Sequence, residues 1–164
     1  MHINLKKKYL YFYNYKIKCS IGKNGLTNNK CEGDQKTPKG KFKFTILFYR
    51  KDRVPNFQCK IKSKSIKKNM GWCDDPNSKF YNKLIKIKKN LKISHEKLYR
   101  KDHKYDFFIL IKYNYKNPIK LKGSAIFLHL TKNYLPTKGC IALCEKDFLI
   151  LAKLINKKTK IKLN

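Results

Sequence analysis

Two side chains stand out for chemistry: His129, near the end of an apolar run, and Cys140, eleven residues later. A glycine precedes the cysteine, and Gly139 lets the backbone turn tightly and approach a substrate carbonyl. Amides around Gly139 and Cys140 can then donate to a developing oxyanion. A thiol at its free pKa is only slightly ionised near neutrality, so an imidazole within reach is its usual activator. The pair points to attack on an acyl group and a covalent thioester. Other roles stay open on these residues alone. His129 can be a satisfied core histidine and Cys140 a buried structural thiol. Zinc held by His129, Cys140 and Cys144 is a third possibility, but the spacing is loose and no fourth ligand stands out.

These residues need a scaffold, and period-two alternation dominates the chain. Tyr15, Ile17, Cys19 and Ile21 alternate with Lys16, Lys18 and Ser20, and the pattern returns at Phe42, Phe44, Ile46 and Phe48. Strands are also expected at the N-terminus and over 59–66, 84–88, 106–113, 125–130 and 159–163. Turn residues cluster at 34–40, 74–77 and 117–118. One helix is expected from Glu145 to Lys157, with Phe148, Leu151, Ala152 and Ile155 on one face and two acids in its first turn. A helical turn is expected from Ser94 to Lys101, capped by Ser94. The expectation is one mainly β domain over residues 1–164, with one principal helix packed on a sheet.

Composition narrows the classes. The chain has 164 residues, 41% hydrophobic and 13% aromatic, too rich in core formers for disorder despite its charge. No apolar run approaches the roughly 18 residues of a membrane-spanning helix. The N-terminus starts basic but continues with Tyr11, Phe12, Tyr13 and Tyr15, without a small-residue cleavage site, so no export signal is legible. The net charge is +31, yet only Arg50, Arg53 and Arg100 are arginines among 41 basic residues. Lysine alternates with apolar residues as a solvated strand face, and a nucleic-acid binder would concentrate charge and favour arginine. We therefore expect no specific nucleic-acid partner, though the charge suits an acidic cell-wall polymer. Six scattered cysteines give no disulfide framework, and most read as small buried hydrophobes.

Longer blocks carry a resemblance. Ser124 through His129, followed by Pro136-Thr137-Lys138-Gly139-Cys140-Ile141-Ala142-Leu143, resembles the active-site segment of the YkuD-type L,D-transpeptidases. Upstream, Thr37-Pro38-Lys39-Gly40-Lys41-Phe42 is similar to the family's Thr-Pro-x-Gly-x-Phe block. Gly71-Trp72-Cys73-Asp74-Asp75-Pro76 with Tyr81-Asn82, and then Glu96, Tyr99-Arg100, Asp102 and Tyr105-Asp106, resemble a branch common in Gram-negative bacteria. The resemblance covers about residues 19–162.

It implies a single catalytic domain of β-sandwich or barrel type acting on peptidoglycan stem peptides in the periplasm, in cell-wall biogenesis and cell shape. Cys140 would be the nucleophile, His129 the general base and later acid, and Gly139, Thr137 and Lys138 the active-site loop. The common motif Ser/Thr-His-Gly-Cys-x-Arg reads here Thr137-Lys138-Gly139-Cys140-Ile141-Ala142, so a histidine and an arginine are replaced. Arg50, Arg53 and Arg100 lie among the few acids and are expected first to serve structural ion pairs, the functional alternative being that Arg100 or Arg53 reaches the cleft and fixes a substrate carboxylate. Trp72, Asp75 and Tyr81 are candidates for substrate packing, with Asp75 equally suited to capping a turn. We expect no cofactor and no metal, no membrane span, and a monomer. A basic peptidoglycan- or polyanion-binding module without catalysis is the alternative of a different class.

Overall fold

Alternating lysine and apolar residues fold as strands with the apolar side inward, and the computed structural model describes residues 1–54 and 57–164. The N-terminus forms β1 (His2–Lys6), β2 (Tyr9–Phe12) and β3 (Tyr15–Lys18), joined as antiparallel neighbours. Short β4 (Leu26–Thr27) and β5 (Thr37–Pro38) pair in parallel, and long β6 (Gly40–Tyr49) follows. Next come β7 (Lys62–Ser65), β8 (Met70–Cys73), β9 (Leu84–Lys86) and β10 (His95–Lys97). A 3-10 turn, His103–Tyr105, leads into β11 (Phe107–Ile111), β12 (Phe127–Leu130) and β13 (Ile141–Leu143). Helix α1 (Glu145–Leu154) and β14 (Lys160–Leu163) end the chain.

The large sheet runs β13-β12-β11-β6-β14-β1-β2-β3, with β7 added on β6. Its two ends meet. Ser20, just past β3, bridges Ala142 of β13, with N–H···O distances of 2.8 and 2.9 Å in the two directions. The result is mainly β: a nearly closed, barrel-like sheet with one helix in the C-terminal half. Closure satisfies edge groups that would otherwise invite pairing with another chain. Ile3, Leu5, Leu10, Leu47, Ile109, Leu128, Ile161 and α1's Phe148 and Leu151 fill the interior. Each such fully buried side chain stabilises by about 1.5–3 kcal/mol relative to exposure. A second apolar cluster of Phe48, Trp72, Tyr105, Phe108 and Phe127 lies on the opposite face of β6, β11 and β12. The three-stranded β10-β8-β9 sheet contributes Met70 and Trp72 to it.

Three local expectations are corrected. Residues 94–101 form no helical turn: His95, Glu96 and Lys97 pair with Cys73, Trp72 and Gly71. A neighbouring strand supplied hydrogen bonds that local propensity could not foresee. The helix stops at Leu154, before Lys157. Ile155 turns extended, and Asn156 and Thr159 exchange side-chain bonds with the turn that follows. The N-terminal segment is a hairpin and not a single strand, turning at Lys7, which has φ 54°.

Candidate active site

His129 and Cys140 come together because β12 and β13 run parallel, with Leu128 opposite Ile141 and His129 opposite Ala142. Successive strand residues face opposite sides, so Phe127 and His129 share a face, and the same register sets Cys140 beside Phe127. The Phe127 amide donates to Cys140 Sγ at 3.3 Å, and the thiol donates to the Ala125 carbonyl at 3.1 Å. His129 and Cys140 line one cavity of about 870 Å³, with Glu96, Arg100, Tyr105 and Lys138 also on its wall.

The loop carrying Cys140 is pinned by segments far away in sequence. Thr37 accepts from the Gly22 amide and donates to the Gly139 carbonyl, each at 2.8 Å. The Thr137 amide donates to the Ile21 carbonyl at 2.9 Å. Gly139 has φ 135°, and a Cβ there would lie 2.9 Å from the Lys36 carbonyl oxygen, so only glycine fits. Thr137 Oγ1 donates to the Cys140 carbonyl at 2.6 Å and accepts from the Gly139 amide at 3.1 Å. The Gly139 amide, expected as an oxyanion donor, is thus engaged within the loop.

Burial sets the protonation states. It pushes the Cys140 thiol up to about 12, helped by the negative charge of Glu96 and opposed by the Phe127 amide and Lys30. Burial likewise holds the His129 imidazole down to about 4; Lys104 and Arg100 push the same way, against the Leu130 carbonyl and Asp102. The resting pair is therefore neutral thiol and neutral imidazole at pH 7. His129 Nδ1 lies 2.7 Å from the Leu130 carbonyl oxygen. A carbonyl only accepts, so Nδ1 carries the hydrogen and Nε2 keeps its lone pair. The imidazole and the Tyr105 ring meet edge to face, centroids 5.4 Å apart.

The remaining candidates divide. Lys138 is exposed on the cavity wall, and Ala142, in the place of the common arginine, contributes a small side chain there. Arg100 lines the cavity, but Asp102 holds its guanidinium at two points, 2.8 and 2.7 Å. Arg53 is absent from the wall and pairs with Asp106 at 2.7 Å. Arg50 is buried, binds Asp52 and the Arg100 carbonyl, and lies on the Tyr99 ring.

Trp72, Asp75 and Tyr81 are not on the wall either. Trp72 is 1% exposed, its indole N–H bound to Asn82, because the second apolar cluster claims its ring. The Tyr81 hydroxyl donates to Glu32, and Asp75 caps the Asn77 amide. Among the described residues no three His, Cys, Asp or Glu side chains gather as a metal requires, so the zinc ligands weighed above do not converge. All six cysteines are free.

Sequence reasoning passed over Asn82 and Ala125. Asn82 Oδ1 accepts from both Trp72 Nε1 (2.8 Å) and the Ala125 amide (3.0 Å). It thereby holds Ala125, at φ 51°, with its carbonyl against the Cys140 thiol. The tyrosine-asparagine pair at 81–82 was the available signal, but spacing could not say that the asparagine reached residue 125.

The family model described as YkuD, L,D-transpeptidase catalytic domain, matches residues 1–163. No curated protein and no solved structure gives a significant match. The match takes in the N-terminal hairpin as well as the segment bearing Cys140 and His129, and on that breadth the chain belongs to the L,D-transpeptidase catalytic domain family.

Proposed function

We propose that the protein is a peptidoglycan L,D-transpeptidase or L,D-carboxypeptidase that works through a thioester on Cys140. One observation carries this most: a thiol and a neutral imidazole with a free Nε2 share one face of two parallel strands and one cavity. The family's chemistry, acyl transfer on peptidoglycan, supplies the substrate class.

Cys140 Sγ gives its proton to His129 Nε2 and bonds to the carbonyl carbon of the diamino-acid residue of a stem peptide. The carbonyl π pair moves to oxygen, where the Cys140 amide donates. Collapse breaks the C–N bond, and the imidazolium returns its proton to the leaving D-amino acid. An amine of a second stem, or water, then attacks the thioester and releases the thiol. Arg100 or Lys138 would hold a substrate carboxylate, in place of the arginine that Ala142 replaces. The compartment implied is the periplasm or cell envelope.

The test is release of the terminal D-amino acid from tetrapeptide and pentapeptide stems, followed by amino-acid analysis. Release by the wild type, lost in Cys140→Ala, supports the proposal. No release from either donor overturns it.

A further inference from the structure

Lysines that alternate with apolar residues are ordinary solvated positions strand by strand, and the sheet register decides whether they meet. On five consecutive strands, β6-β14-β1-β2-β3, they do. Lys41 pairs with Lys162, Lys162 with Asn4, Asn4 with Tyr11 and Tyr11 with Lys16, a continuous row across all five. Residues paired in register point to one side of a sheet, and the intervening Ile161, Ile3, Leu10 and Ile17 are buried in the core. The row therefore stands on the outer face. A second row, Lys43, Lys160 and His2, flanks it on one side, and a third, Lys6, Tyr9 and Lys18, on the other. Rows in such an array stand about 6.8 Å apart and neighbouring strands about 4.8 Å.

Nothing acidic interrupts this array. None of the ten carboxylates lies on these strands or in the turns that join β1, β2 and β3. The four ion pairs among the described residues engage Lys30, Arg50, Arg53 and Arg100, all outside it. On β11 and β12 the outer side is covered instead by the second apolar cluster. Aromatic rings are interleaved with the charge: Lys16 Nζ lies 4.8 Å from the centre of the Tyr9 ring. Tyr13, in the turn that follows Tyr11, is 72% exposed. None of these side chains lines the cavity of Cys140 and His129.

The shape and chemistry of the array select its partner. A linear polyanion needs a stripe or a groove, whereas this charge extends in two dimensions over a convex face. Lysine without arginine offers point charges to a diffuse negative surface, and not the planar fork that grips one phosphate. Lysine stems cover apolar surface while their ammonium groups stay with the headgroups, and tyrosine rings are at home at the same depth. Anionic leaflets attract such polybasic surfaces lysine by lysine. We propose that this face docks the protein on an anionic lipid bilayer, with the lysines against the headgroups and the Tyr13 turn seated among them. Docking and acyl transfer then use separate surfaces.

Flotation of the full chain tests this, with vesicles of phosphatidylcholine alone and of phosphatidylcholine mixed equally with phosphatidylglycerol. We expect binding to the mixed vesicles to be at least about tenfold stronger, and to weaken as salt is raised. Two variants of equal net charge separate this face from charge in general. Lys16→Glu, Lys18→Glu, Lys41→Glu and Lys162→Glu together should weaken binding at least about tenfold. Lys88→Glu, Lys89→Glu, Lys92→Glu and Lys116→Glu together, exposed elsewhere, should change it less than about threefold. If circular dichroism shows the first variant unfolded, glutamine at both sets of positions gives the same comparison without repulsion. Tyr13→Trp adds a second reading: its emission should shift to the blue on the mixed vesicles only, over the constant background of buried Trp72. No preference for the mixed vesicles, equal loss in the two charge variants, or an unmoved emission overturns the proposal. So does binding to soluble polyglutamate without binding to vesicles, which assigns the face to a linear polyanion.

Discussion

The Thr37 hydroxyl donates to the Gly139 carbonyl at 2.8 Å across 102 residues of sequence, fixing the loop immediately before Cys140. The same hydroxyl accepts from the Gly22 amide, and Thr37 is fully buried. Three segments far apart in the chain thus meet at one oxygen. Thr37→Val, close in shape, leaves the amide and the carbonyl unsatisfied. Each buried unpaired group costs about 1–3 kcal/mol. Urea unfolding should show a loss of that order, and acylation should slow because the thiol is less well placed. Thr37→Ser, which keeps the hydroxyl, should restore both.

Gly139 gives a sharper steric case. Gly139→Ala meets the Lys36 carbonyl at 2.9 Å and must hold φ 135°, a conformation that side chains rarely adopt. Strain of this kind costs about 1–3 kcal/mol. Thermal unfolding should register the loss, and acylation should fall with it. A variant as stable and as fast as the wild type would contradict the description of this loop.

Protonation of His129 should show in the pH dependence of stability. Its pKa is lowered from 6.5 to about 4 by burial, so the folded protein binds fewer protons than the unfolded chain between those values. Its contribution is fully present above pH 6.5 and is lost as the pH falls toward 4. The loss is on the order of 3 kcal/mol at its limit. His129→Gln should flatten this slope, and denaturant titrations of both proteins between pH 7 and 4.5 check it. The same shift keeps the base unprotonated at pH 5.5, so wild-type acylation there should stay within about twofold of its value at pH 7.

Arg100 divides a structural from a functional role. Asp102 holds its guanidinium bidentately, and the side chain also lines the cavity. If Arg100 fixes a substrate carboxylate, Arg100→Lys should raise KM more than it lowers kcat, with the melting temperature unchanged. Steady-state kinetics with tetrapeptide stems read the split. Unaltered kinetics would transfer that role to Lys138.

Local patterns carried a large part of this structure. The alternation at 15–21 and 42–48 announced β3 and β6, and the apolar face at Phe148, Leu151 and Ala152 announced α1, because each pattern matches the period of its element. Strands β8 and β10 stayed hidden. Met70–Cys73 has no polar alternation, being buried on both sides, and His95–Lys97 becomes a strand only because Gly71, Trp72 and Cys73 lie beside it.

The site was legible to the same degree. The Gly139-Cys140 dipeptide and His129 point to acyl chemistry by residue type. What lies opposite them depends on long-range pairing. Trp72 and Tyr81 had the character of cleft aromatics and proved to be core residues, each satisfied by a single polar partner.

The thioester is the centre of this account, and intact-protein mass spectrometry tests it most directly. Wild-type protein mixed with a tetrapeptide stem and quenched in acid should gain the mass of the stem minus its terminal D-amino acid. Peptide mapping should place that mass on Cys140, and His129→Gln should acquire it about 10²–10⁴ times more slowly. An adduct on another cysteine, or none from any stem donor in folded wild-type protein, would contradict the account.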